Sequence, residues 1–195
     1  MSPRAGLDLQ TILEAAAAIA DKKGMQEVTL ASLSQTLGVR SPSLYNHING
    51  LNGLRCKLAV FGLNRLNDRL MRAAVGRSGE DAVLAVGQAY IGFARQHPGL
   101  YEATLSSVHD GASEDAETAA ELREVSDELV ALMIQLIRGE ALEEEEAIHL
   151  VRGLRSIMHG FASLELAGGF GMPVKLDDSI NKALIAYWRG MKNYA

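Results

Sequence analysis

Residues 28–48 run Val28-Thr29-Leu30-Ala31-Ser32-Leu33-Ser34-Gln35-Thr36-Leu37-Gly38-Val39-Arg40-Ser41-Pro42-Ser43-Leu44-Tyr45-Asn46-His47-Ile48, and their punctuation spells two short helices joined by a tight turn. Thr29 offers a side-chain oxygen to the first open amides of a helix, and Leu30, Leu33 and Leu37 recur at the spacing of one helical face. Gly38 ends that helix, because glycine enters the left-handed region without a Cβ penalty. Ser41 then reads as an N-cap with Pro42 at the first helical position, where no amide is needed and φ is already set. The helix so started turns Leu44 and Ile48 inward and leaves Ser41, Ser43, Tyr45, Asn46 and His47 outside. Two short helices around a glycine turn, the second showing polar side chains, are the helix-turn-helix arrangement that reads a DNA major groove. Those side chains have the chemistry for it, since Asn pairs bidentately with adenine, Ser donates or accepts, and Tyr and His reach phosphate oxygens.

The same punctuation extends outward in both directions. Before the motif, Leu9, Ile12, Ala16, Ile19 and Ala20 mark a helix from about Leu7 to Lys23, with Gly24 predicted as its left-handed C-cap. After the turn Asn49-Gly50, Leu54, Leu58, Phe61, Leu66 and Leu70 predict a long helix over Asn52 to Val75, closed by Arg77-Ser78-Gly79. Further helices are expected at about 80–96, 98–107, 115–138, 143–168 and 177–193, parted by Pro98-Gly99, the small and acidic run 110–115, Gly139 and the Gly168–Pro173 stretch. The run Glu143 to Glu146 reads as a first helical turn favoured by the helix dipole. Alternating Val/Ile/Thr runs are absent, so the fold class is all-α, about nine helices: a helix-turn-helix DNA-binding domain at 1–50 and a helical bundle at 51–195.

Composition narrows the function. Apolar residues make up 48% of the 195 and aromatics 5%, as in a well-filled helical protein. No uninterrupted apolar run is long enough for a membrane span and no basic-then-apolar leader opens the chain, so the expected location is the cytoplasm and no membrane partner is expected. The single Cys56 fits a reducing compartment. The net charge of −5 is uneven: residues 1–77 hold ten Lys/Arg against five Asp/Glu, and the rest nine against nineteen. A basic head on an acidic body presents one end to phosphates.

Catalysis finds no footing. Histidines 47, 97, 109, 149 and 159 form no HExxH or other metal spacing, and neither a nucleophile elbow nor a phosphate-cradling glycine loop occurs. His149 and His159 lie ten residues apart on one helix, roughly 15 Å along its axis, too far to share a metal. No catalytic residue, metal or cofactor is expected.

Taken together, Val28 to Leu33, Leu37-Gly38-Val39 and Ser41 to Ile48 resemble the DNA-binding signature of the TetR/AcrR family. The resemblance implies that the helix starting at Ser41 enters the groove, that Tyr45 and His47 clamp phosphates, and that Thr29 holds the start of the preceding helix. Arg40, Ser43, Asn46 and Lys57 complete the expected DNA-binding set. One departure is Leu51, where many relatives carry a lysine, and the start of the long helix around Asn52 and Gly53, with Arg55 and Lys57, is the expected substitute anchor.

The later segments Phe93 to Tyr101, Arg155 to Phe161 and Gly168-Gly169-Phe170 resemble a TetR subgroup with a His-Gly pair, here His159-Gly160, on a late effector-domain helix. The resemblance implies a homodimer through the last two long helices, with Val151, Leu154, Ile157, Met158, Leu184 and Trp188 as interface candidates, and hence a palindromic double-stranded operator. It also implies repression relieved by a small-molecule effector in a helical pocket, with Tyr90, His97, Tyr101 and His159 as polar contacts and Phe93 and Phe161 as walls. The competing reading, suggested by Leu51, is a helical sensing or interaction module that has lost DNA binding.

Overall fold

The computed structural model describes residues 7–106, 116–138 and 143–192, and no strand occurs among them. Among these described residues nine α-helices follow in order: α1 Leu9–Lys23, α2 Leu30–Leu37, α3 Ser41–Leu44, α4 Gly50–Ala74, α5 Gly79–Gln96, α6 Pro98–Ser106, α7 Ala116–Arg138, α8 Glu144–Leu166 and α9 Leu176–Lys192, with one 3-10 turn at Met25–Glu27. The all-helical expectation therefore holds, and each helix lies within two residues of the bounds read from apolar spacing except α3, which stops at Leu44 instead of running on to Ile48. The sequence reading missed the 3-10 turn, whose three residues are too few to show a period. His109, the run 110–115 and Gly139 lie outside the described residues.

Three caps differ from expectation. Gly24 does take a positive φ of 94°, but its ψ of 159° is extended rather than left-handed helical, while its amide still donates to the carbonyl of Ala20 at 2.8 Å. Arg40, not Ser41, is the N-cap of α3, without a side-chain cap bond, so Ser41 and Pro42 are its first two residues. α4 begins at Gly50 rather than Asn52 and stops at Ala74, before Gly76 with its φ of 72°.

The described residues fall into two compact units. One comprises Met1–Asn64 and Gln96–Val125, the other Arg65–Arg95 and Ser126–Ala195, with α4 and α7 each contributing to both. In the first unit α1 packs against α2 and α6, burying Ile12, Leu13, Ala16, Ala17, Ile19 and Ala20. The approach of α6 is close enough to require glycine at its second residue. A Cβ on Gly99 would overlap the carbonyl of Ala20 and stand 2.6 Å from the amide nitrogen of Asp21. Asp21 closes the joint, accepting at 2.9 Å from the amide of Leu100 and facing the Nδ1 of His97 at 2.9 Å. A carboxylate on α1 thus caps the start of α6, a role normally filled from within the chain's own turn.

In the second unit α8 packs along α9. Gly87 of α5 makes room for Leu184, and Tyr187 lies over Gly153, its hydroxyl donating to the carbonyl of His149 at 3.2 Å. Ion pairs tie the same helices on the outside: Arg95 to Glu165 and Asp177 at 2.9 and 2.6 Å, and Arg189 to Glu80 at 2.6 Å. Exposed pairs of this kind contribute little stability each, so the buried side chains of α5, α8 and α9 carry the unit.

Candidate nucleic-acid interface and effector cavity

The helix-turn-helix is held by bonds that its own residue types dictate. The Oγ1 of Thr29 accepts from the amide of Ser32 at 3.0 Å, and the Oγ of Ser32 accepts from the amide of Thr29 at 3.0 Å, a reciprocal capping box. Gly38 closes α2 in the left-handed conformation, φ 65° and ψ 30°. Leu33, Leu44 and Ile48 are buried, with Val28 beside the first cap, while Leu30 and Leu37 remain half-buried.

Ser41 is spent inside the motif. Its Oγ lies 3.0 Å from that of Ser34, which donates its one proton to the carbonyl of Leu30 at 2.7 Å. Ser41 must therefore donate to Ser34, which pins the first residue of α3 to α2 and leaves its oxygen able only to accept. Ser43 is half-buried, Arg40 and Asn46 are exposed, and Tyr45 keeps 58% of its surface in solvent. Tyr45, Asn46 and His47 lie just past the last residue of α3, in a continuing turn where the amides of His47 and Ile48 both donate to the carbonyl of Leu44, at 2.9 and 3.1 Å. The groove candidate is thus one helical turn plus three turn residues.

His47 is half-buried and stands in the field of Asp8, the N-cap of α1. Asp8 is held below the ordinary aspartate range by hydrogen bonds from the Thr11 hydroxyl and amide, the latter at 2.7 Å, with a smaller contribution from His47. Beyond the motif, the amide of Gly53 already donates to the carbonyl of Asn49 at 3.2 Å, so the outward amides at the start of α4 belong to Gly50, Leu51 and Asn52 rather than to Asn52 and Gly53. Leu51 and Lys57 are half-buried and Arg55 is exposed.

The expected effector contacts do not all meet. Tyr90 of α5 lines a cavity of about 20 Å³ together with Leu70 of α4, Val130 and Met133 of α7, and Val151, Arg155 and Met158 of α8, all within the second unit. Phe93 is buried and does not line it. Phe161 instead stacks on Phe170 with ring centroids 5.8 Å apart, and His159 stands 3.4 Å from the hydroxyl of Ser163. His97 and Tyr101 belong to the first unit, His97 facing Asp21 and Tyr101 buried. Sequence reading missed Leu70, Leu129, Val130, Met133 and Arg155 as cavity residues and assigned Val151 and Met158 to the dimer interface. A signal was present in Arg155, a cation four residues after Val151 and three before Met158 on an otherwise apolar stripe.

The dimer candidates are placed with similar clarity. Val151, Leu154, Met158, Leu184 and Trp188 are each at most 4% exposed within the single chain, and only Ile157 of the six is half-buried. The outer side of the same helices shows Ser156, Leu164 and Ala186 in solvent, with Phe161, Ala183 and Tyr187 half-covered.

Comparison with known proteins decides the family. Residues 83–187 match the family described as Tetracyclin repressor-like, C-terminal domain. Over 192 residues the chain is 42% identical to YobS of Bacillus subtilis (strain 168), described as an uncharacterized HTH-type transcriptional regulator, covering 98% of this chain and 96% of that one. The chain belongs to the TetR family of transcriptional regulators. As a TetR-family protein it is a DNA-binding regulator and not an enzyme. Its fold is similar to that of a protein of unknown function from Rhodococcus sp. RHA1, TM-score 0.81 at 23% identity over 97% of this chain and 98% of that one. It is also similar to a TetR variant from Acinetobacter baumannii AYE solved in complex with minocycline, TM-score 0.69 at 17% identity over 97% and 98% of the two chains. Among the described residues no helix is long and apolar enough to cross a membrane and no cluster of His, Cys, Asp or Glu could hold a metal.

Proposed function

We propose that this TetR-family protein is a cytoplasmic repressor that binds a palindromic double-stranded operator as a homodimer and is released when a small molecule enters the cavity beside Tyr90. The observation that carries the DNA half is the exposure of Tyr45. Between the buried anchors Leu44 and Ile48 the chain keeps Tyr45 58% in solvent and Asn46 exposed beside it, so the polar groups of both are open to phosphate and base edges. In this reading Tyr45 and His47 bind phosphates, Ser43 and Asn46 read base edges, and Arg40 and Lys57 add positive charge along the backbone. Thr29 and Ser41 act by position, since their hydroxyls are engaged in the cap of α2 and the pin to Ser34. Residues 1–50 form the DNA-binding domain in this assignment, and 51–195 serve the effector and the dimer.

A second copy would meet the outer side of α8 and α9 through Ile157, Phe161, Leu164 and Tyr187, because the deeper side chains of the pair are sealed within one chain. His159-Gly160, on which the resemblance to a His-Gly subgroup rests, also belongs to α8. α4 contributes residues to both units, Leu70 to the cavity and Lys57 near the motif, and so is the element through which effector and operator compete. The half-buried Leu51 favours a second reading, an interaction module without DNA binding. Footprinting on the promoter next to the gene separates them: a protected palindrome that a compound from a mixed panel clears supports the repressor, and uniform weak protection of every sequence supports the module.

A further inference from the structure

Resting on the effector reading above, we infer that the cavity lined by Tyr90, Met133, Met158 and Arg155 takes an apolar molecule ending in a single carboxylate, with Arg155 as its anchor. The lining is aliphatic, aromatic or thioether apart from one charged group, Arg155. A polar body such as a sugar would lose its hydration there without finding donors and acceptors, and a cation would meet the arginine's field. An apolar body gains from both walls.

Arg155 is the one charged group in an otherwise apolar lining. Arg95, Arg77 and Arg189 each hold a carboxylate at 3.0 Å or less, whereas the exposed Arg155, like Arg72 and Arg152, has no ion pair among the described residues, and of these three only Arg155 lines the cavity. It stands so in a stretch, 78–195, that carries nineteen acidic residues against nine basic ones. A guanidinium without a partner at the edge of an apolar slot is matched by a carboxylate, which it can bind through two parallel hydrogen bonds.

The slot is nearly closed. Its volume of about 20 Å³ suffices for one water, while cavities that hold small effectors measure several hundred Å³, so the ligand must open it. The wall is built for that: Met133 and Met158 are unbranched with rotatable thioether chains, and Val130 both lines the cavity and is 36% exposed, so little protein covers that side. Entry then displaces side chains of α7 and α8 against Leu70 of α4.

The test is calorimetry of the full-length protein with sodium octanoate, decanoate and dodecanoate below their micelle concentrations, alongside decylamine and 1-decanol. We expect one carboxylate per chain, affinity rising about fourfold per added methylene, and no binding of decylamine. Arg155→Gln should weaken decanoate at least about tenfold, Arg155→Lys less, and neither should alter 1-decanol, with circular dichroism confirming an unchanged fold. Decylamine binding as tightly as decanoate, several carboxylates per chain, or Arg155→Gln leaving decanoate within twofold would overturn the inference. The same samples are titrated with operator DNA. Operator binding with indifference to decanoate defeats this inference alone, and Arg155-dependent uptake of decanoate by a protein that ignores DNA defeats the repressor reading alone.

Discussion

Replacing Gly99 by alanine tests the joint on which the first unit is built. The new Cβ would fall on the carbonyl of Ala20 and 2.6 Å from the amide nitrogen of Asp21, where real Cβ atoms essentially never come within 3.0 Å. Both obstacles are backbone, so no rotamer change relieves them, and α6 must retreat from α1 by roughly 1 Å. That retreat stretches the 2.9 Å bonds of Asp21 to the Leu100 amide and His97 past useful length. Overpacking costs about 1–3 kcal/mol, and loss of a charged cap on a partly wetted carboxylate adds about 1 kcal/mol, for a total near ~2–4 kcal/mol. At ~2–4 °C per kcal/mol for a chain this long, Tm should fall by about 5–15 °C. Two other glycines supply the scale. Gly38→Ala meets no atom within 4 Å but keeps a φ of 65°, and should cost ~1–2 kcal/mol from conformation alone. Gly160→Ala, inside α8 with open space around it, should be neutral or stabilising by up to ~1 kcal/mol. Urea unfolding followed by circular dichroism ranks the three. If Gly99→Ala lies within about 0.5 kcal/mol of the parent, the close approach of α1 and α6 and the reasoning from it are refuted.

Asn67 on α4 is 5% exposed and its Oδ1 has no partner among the described residues, so Asn67→Leu should raise stability by ~1–2 kcal/mol in the same urea assay, and a loss of that size would reveal a partner. Asp8 titrates below its ordinary 3.8 because the folded state stabilises its charged form. Its charged capping contribution is therefore complete above 3.8 and fades as pH falls through the lower folded value, whereas Asp8→Asn keeps a cap that does not vary with pH, a contrast that amide exchange at the start of α1 between about pH 2 and 5 would register. Lys57→Ala should reduce operator affinity about equally for all sequences and lower the salt slope by ~1; an unchanged slope would remove Lys57 from the interface. Asn46→Ala should instead relax base preference at one operator position while leaving that slope intact, as a randomised-operator selection would detect.

How much of this was legible follows from the range of each interaction. Helix bounds were readable because Leu, Ile and Ala three and four apart mark a face, and Thr29, Gly38 and Pro42 act within a turn of themselves. Ser41 was misplaced by one position because its hydroxyl prefers Ser34, seven residues back, over the amides ahead of it. The bond from His97 to Asp21 spans 76 residues and has no local trace in the sequence. Apolar spacing on α8 and α9 shows that a stripe is covered without showing by whom, and Leu154, Leu184 and Trp188 are covered by their own chain. Tyr90 was found as a cavity residue by its type. Arg155 was passed over because a surface arginine is common, and only its place in an apolar cavity wall makes it notable.

Operator recognition turns on α3 and the turn behind it lying in a DNA groove. The most direct measurement is fluorescence anisotropy of the parent, Tyr45→Phe, Tyr45→Ala and His47→Ala on the footprinted palindrome and on a scrambled duplex, across a salt series. The parent should prefer the palindrome by about a thousandfold or more, and Tyr45→Ala and His47→Ala should bind it more weakly at unchanged stability. Variants that match the parent on both duplexes would contradict a groove-bound α3.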